Sequence, residues 1–226
     1  MQNSIFDVAG PIMVGPSSSH TAGACKIGQI ARALFRGTPT EVTFYLYGSF
    51  AQVYQGHATD RALLAGVMKM MTSDSNIKEA FKIAKKNKLA YEFITVEEAP
   101  DHHPNTVRII LKNAKRKLSV VGSSIGGGKV TITQINNINI DLEAVFGRFF
   151  SLLVGHNNEE DVLNPVYGKL IDWGIPITSK QTISMKKNSL TMLNIEEGYL
   201  RLPQVLELEK LPGIQFVRSL TKLLKE

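Results

Sequence analysis

Cysteine is almost absent: Cys25 is the single one in 226 residues. A lone thiol excludes a disulfide within the chain. It also excludes a zinc or iron–sulfur site built from this chain's thiolates alone. Long apolar runs are missing too, none reaching the ~20 residues of a membrane helix, and the mean hydropathy is −0.03. The first residues, MQNSIFDVAGPIM, lack a basic segment followed by an apolar one, so no secretory leader is expected. A reducing cytoplasm is the expected setting, with no membrane partner. Compositional bias is likewise lacking: 43% of residues are apolar and 20% charged, with 18 Gly and 9 Pro. That excludes a disordered or fibrous chain and leaves a globular one of one or two domains.

The net charge is +6 and the pI about 9.3. Residues 1–146 hold 16 Lys and Arg against 11 Asp and Glu, and residues 147–226 hold 10 against 9. The excess is scattered. Its dense runs, residues 85–88 and 112–117, lie between apolar segments without interleaved aromatics. No nucleic-acid partner is therefore expected. A small anionic or zwitterionic ligand accounts for the charge as well.

Periodicity outlines two halves. A loop, Gly15-Pro16-Ser17-Ser18-Ser19-His20-Thr21, runs into a helical stripe of Ile27, Ile30, Ala31, Leu34 and Phe35, which Gly37 and Pro39 end. Residues 42–48 read as a strand. The polar loop Gln55–Asp60 feeds a second helix carrying Ala62, Leu63, Val67 and Met70, with Thr59 or Asp60 as its N-cap. A lysine-rich helix over 77–86 follows, then strands at 90–96, 106–112, 118–124 and 130–135. After about residue 146 the order becomes strand 149–154, helix 162–171, strands 177–185 and 189–195, helix 203–211 and strand 214–220. The expected class is α+β: a mixed α+β domain over 1–146, then a βαββαβ ferredoxin-like unit over 147–226.

Chemistry concentrates in the first half. His20 stands among Ser17, Ser18, Ser19 and Thr21 at a helix start. There, unpaired N–H groups and hydroxyls suit a carboxylate or phosphate, while N-capping alone needs one of these side chains. His57 stands at another loop-to-helix junction. Two such imidazoles can serve as a base and its partner, or as solvated loop residues. Asp60 can orient His57 or simply start its own helix. Gly126-Gly127-Gly128 permits a close backbone approach or a tight hairpin. It lacks the pattern of a phosphate-binding loop. His102, His103 and His156 need no function, and Cys25 reads as a buried small hydrophobe.

Ser17-Ser18-Ser19-His20-Thr21-Ala22-Gly23, Gly48-Ser49, Gly56-His57-Ala58-Thr59-Asp60, His103-Pro104-Asn105-Thr106 and Gly126-Gly127-Gly128 occur in this order. Together they resemble the β subunit of bacterial iron–sulfur-dependent L-serine dehydratase over about 140 residues. The remainder resembles an ACT domain. The first half is also similar to the effector-binding domain of one class of D-3-phosphoglycerate dehydrogenase, which leaves open a non-catalytic module sensing an amino acid or small anion.

The dehydratase resemblance implies conversion of L-serine to pyruvate and ammonia by an enzyme using a [4Fe-4S] cluster. With one cysteine here, the cluster falls to a separate α subunit. The implied site has His57 and His20 as catalytic groups, and Ser17, Ser18, Ser19 and Thr21 on the substrate. Thr59, Asp60, Asn105, Gly126, Gly127 and Gly128 would line the pocket or a subunit contact, and β subunits would pair with each other. ACT domains often carry Asp-x-Pro-Gly after the first strand. Residues 156–163, HNNEEDVL, lack its glycine, so assembly is the expected role of that half, ahead of effector sensing.

Overall fold

The computed structural model describes residues 13–35, 37–97, 103–127, 129–136, 138–144, 150–184, 187–195 and 200–219. They form an α+β protein divided into two compact units, Met1–Val145 and Phe146–Glu226. Among the described residues, no helix is long and apolar enough to cross a membrane.

In the first unit a π-helical turn, Ser18–Gly23, continues as α1 (Ala24–Phe35). Then come β1 (Glu41–Tyr47), α2 (Gly48–Val53), α3 (Thr59–Val67), a 3-10 turn (Ser75–Glu79) and α4 (Ala80–Lys86). Five strands follow: β2 (Ala90–Val96), β3 (Thr106–Asn113), β4 (Arg116–Gly126), β5 (Lys129–Ile135) and β6 (Ile138–Ala144). The sheet order is β2-β1-β3-β4-β5-β6. The β1–β2 pair is parallel and the others antiparallel. Alternation sends Val107, Ile109 and Leu111 of β3 and Val120 of β4 to one face, all fully buried. Gly122 of β4 presses on that face's helix: a Cβ there would lie 3.0 Å from Ile27 Cγ2 of α1.

The helices meet each other backbone to backbone. A Cβ on Gly28 of α1 would stand 2.5 Å from Leu63 O, and one on Gly66 of α3 would stand 2.1 Å from Cys25 O. Neither clash can be relieved by a side-chain rotation, because the opposing atoms are main chain.

The second unit runs β7 (Phe150–Asn157), α5 (Asn164–Asp172), β8 (Ile177–Ser184), β9 (Asn188–Ile195), α6 (Leu202–Leu208) and β10 (Ile214–Ser219). Its sheet order is β10-β7-β9-β8, antiparallel throughout. The helices cover Leu152, Val154, Leu193 and Val217, packing through Val166, Leu170 and Leu208. Strand β7 continues three residues past the expected 154, because His156 is drawn in. It is 4% exposed, with Nδ1 2.6 Å from Asn157 O and Nε2 2.9 Å from Thr191 Oγ1.

Three further differences from the pattern have local causes. Gly48 is not the end of β1 but the start of α2, with φ 52° and its α-carbon against Pro104. Neither Thr59 nor Asp60 caps α3. Ala58 takes the cap position at φ 55° without a side-chain bond, and Thr59 N–H donates to Tyr54 O at 2.8 Å. Strand β6 is an additional element, pairing antiparallel with β5.

Two glycine substitutions test the packing. Gly66→Ala should destabilise, since overpacking of about 1–3 kcal/mol exceeds the ~1 kcal/mol gained in helix propensity. Gly168→Ala in α5, where nothing lies within 4 Å of the added Cβ, should stabilise by up to ~1 kcal/mol. Urea denaturation of each variant reads both signs.

Candidate functional site

The π-helical turn is built to present His20. Ser17 precedes it in extended backbone, and its Oγ accepts the His20 N–H at 3.1 Å. The same Oγ lies 3.4 Å from His20 Nδ1, and Ser49 Oγ of α2 lies 3.0 Å from His20 Nε2. Both ring nitrogens therefore have a hydroxyl neighbour. In a neutral ring one donates and the other accepts. Phe50 packs edge-on to the ring at 5.4 Å between centroids.

His57 comes from the loop before α3, and its ring centroid lies 4.9 Å from that of His20. The main chain holds this approach. Thr21 Oγ1 donates to His57 O at 3.0 Å, and His57 N–H donates to Val53 O at 3.1 Å. The His57 Nδ1 atom is buried with no hydrogen-bond partner. Burial, and then the neighbouring His57, lower the pKa of His20 below the usual 6.5.

The other expected residues distribute as follows. Ser18 and Ser19 are half-buried in the turn beside His20, and Thr21 is buried. Thr21 is spent on the His57 loop. Thr59 is fully buried with its hydroxyl unpartnered. Asp60 accepts the Arg61 N–H at 2.7 Å and makes no bond to the His57 ring. Burial raises its carboxyl pKa. Asn105 joins the far side of the turn: its Nδ2 donates to Ser124 O at 3.4 Å, and a Cβ on Gly23 would meet Ser124 Oγ at 2.1 Å. Asn105 Oδ1 and Ser124 Oγ are buried without partners. Gly126 and Gly127, at φ 94° and 58°, turn the β4–β5 hairpin with nothing within 4 Å of an added Cβ. Gly128 and His102 lie outside the described residues.

Ser49, Phe50 and Ser124 complete the surroundings without having been singled out as site residues. The signal for Ser49 was available in Gly48-Ser49 directly after a strand. Phe50 and Ser124 gave none, since a phenylalanine in a helix and a serine in a strand are unremarkable as residues.

The chain does not fit an iron–sulfur cluster. Cys25 is fully buried, and burial pushes its thiol up to about 12. No three His, Cys, Asp or Glu side chains among the described residues come together as a metal site. Beside the thiol, Lys26 is buried as well, and desolvation lowers its amine to about 8.

Fold and site thus define an α+β protein presenting two packed imidazoles, from the starts of two helices, together with several hydroxyls. Residues 4–135 match the serine dehydratase beta chain family. The chain is 39% identical over 212 residues to a probable L-serine dehydratase, beta chain, of Bacillus subtilis, covering 93% of this chain and 94% of that one. It is 40% identical over 195 residues to the L-serine dehydratase, beta chain, of Peptoniphilus asaccharolyticus, covering 85% and 86%. A 70-residue stretch, 28% of this chain, is 41% identical to L-serine dehydratase 2 of Escherichia coli, 15% of that protein. The chain belongs to the serine dehydratase beta chain family.

The lowered His20 pKa has a sign in stability. The unfolded chain binds the His20 proton at a higher pH than the folded one. Its contribution is therefore complete above about pH 6.5 and declines as the pH falls from there toward the folded pKa. Denaturant midpoints from pH 7.5 to 5 should fall less steeply for His20→Asn than for the parent chain. Ring-proton NMR should place the His20 titration below 6.5, and His57→Gln should raise it.

Proposed function

We propose that this chain is the β subunit of a two-chain L-serine ammonia-lyase, converting L-serine to pyruvate and ammonia with an α subunit. The observation that carries the reading is the 4.9 Å approach of the His20 and His57 rings. A module that only senses a ligand needs no proton carrier, whereas elimination from serine needs one at the α-carbon. The [4Fe-4S] cluster belongs, on this reading, to the α chain.

The substrate carboxylate lies at the start of the π-helical turn, where the Ser18 and Ser19 hydroxyls add donors to the leading N–H groups. Ser17 and Ser49 orient His20. His57 takes the α-proton; no hydrogen bond of the described chain occupies its Nδ1. His20 stays neutral near pH 7, because its pKa is lowered. It therefore does not oppose the charge that His57 acquires. Loss of the α-proton and the β-hydroxyl gives aminoacrylate, which tautomerises to the imine and hydrolyses to pyruvate and ammonia. The unpartnered Asn105 Oδ1 offers an acceptor beside the turn. The second unit, with His156 locked into β7 where a ligand loop would begin, serves assembly, including the pairing of two β chains.

The test is co-expression with the α chain and measurement of serine-dependent pyruvate. His57→Ala and His20→Ala should each lose about 10²–10⁴-fold in kcat. Near-normal turnover in both would remove the assignment. The isolated chain should be colourless and inactive.

A further inference from the structure

The sheet of the first unit has a second face, turned away from α1 and from Ser124. Arg108 of β3 points there, because its neighbours Val107 and Ile109 are in the core. The register sets Arg108 opposite Val121 and Thr106 opposite Ser123 on β4, and Ser123 opposite Thr131 on β5. Arg108, Val121, Ser123 and Thr131 open onto a cleft of about 300 Å3, lined also by Thr133, Gln134 and Asn139. It shares no lining residue with the histidine pair.

Three features of this cleft point to one ligand chemistry. First, Arg108 Nε is buried and makes no hydrogen bond. A guanidinium is always charged, and a desolvated donor left unpaired is costly. Second, the described lining around the guanidinium is hydroxyl, amide, imidazole and a single valine. Third, polar capacity remains beside it. Gln134 Nε2 donates to Asn139 Oδ1 at 3.0 Å, which leaves Gln134 an acceptor and Asn139 a donor.

The floor is rigid. Thr106 and Ser123 hydroxyls lie 2.6 Å apart, and Thr106 Oγ1 donates to His103 O at 2.6 Å. A preformed slot with one fork-shaped cation matches a planar or tetrahedral oxyanion, bound through two parallel N–H bonds.

We infer that this cleft is a second binding site, separate from the histidine pair, for a small oxyanion of the carboxylate or phosphate type held by Arg108. The inference does not depend on the lyase reading. It is tested on the full chain by following the backbone amide resonances of Thr131 and Thr133. Sodium acetate and inorganic phosphate are titrated in separate arms, with sodium chloride holding ionic strength constant.

The expected result is a saturating shift with Kd of about 1 mM or tighter in at least one arm, and the arm that saturates identifies the oxyanion. Arg108→Gln should weaken that binding by at least ~10-fold. Arg108→Lys, which keeps the charge and loses the fork, should also weaken it and guards against a variant that fails to fold. No saturation in either arm, or unchanged binding in both variants, would overturn the site.

Discussion

Everything at the histidine pair depends on the crossing of α1 and α3 through Gly28 and Gly66. The two helices belong to separate stretches of sequence, and each is preceded by the loop carrying one histidine. Their main chains touch, with Gly66 against Cys25 O and Gly28 against Leu63 O. Only residues without a Cβ allow this separation. At that distance Thr21 Oγ1 reaches the carbonyl of His57, and the two rings come face to tilted face at 35°. A wider crossing would carry apart the two loops that this bond joins.

Charge behaves consistently around this contact. Burial holds His20 toward its neutral form, raises the Asp60 carboxyl and lowers the Lys26 amine to about 8. All three shifts disfavour ionisation, as desolvation requires. The histidine pair is therefore set among hydroxyls and an apolar backing that includes Phe50.

Much of the fold was legible because periodicity reports burial. The stripe Ile27–Phe35, the strand 90–96 and the β-hairpin segments all appear close to where pattern placed them. What pattern missed was decided by tertiary contacts. Helix α2 forms because Gly48 adopts a left-handed φ against Pro104, and nothing local to Ser49–Val53 announces it. Thr59 and Asp60 looked like caps, yet the 53–59 loop satisfies its own N–H groups, so the cap fell to Ala58. At the site, His20 and His57 were visible as two polar loops at helix starts, but their proximity was not. It arises from a glycine contact between helices, and glycine spacing alone carries no partner information. Thr21 showed the same limit: its hydroxyl looked free for a ligand and is used to hold a loop.

The most direct measurement of this account is the nuclear Overhauser effect between imidazole ring protons of His20 and His57 in the full chain. A cross-peak is expected in the parent protein. It should be lost in Gly66→Ala, with the β7–β9 cross-strand contacts of the second unit unchanged. A parent chain without the cross-peak, or a Gly66→Ala chain that keeps it at full strength, would contradict the claim that the glycine crossing sets the histidine pair.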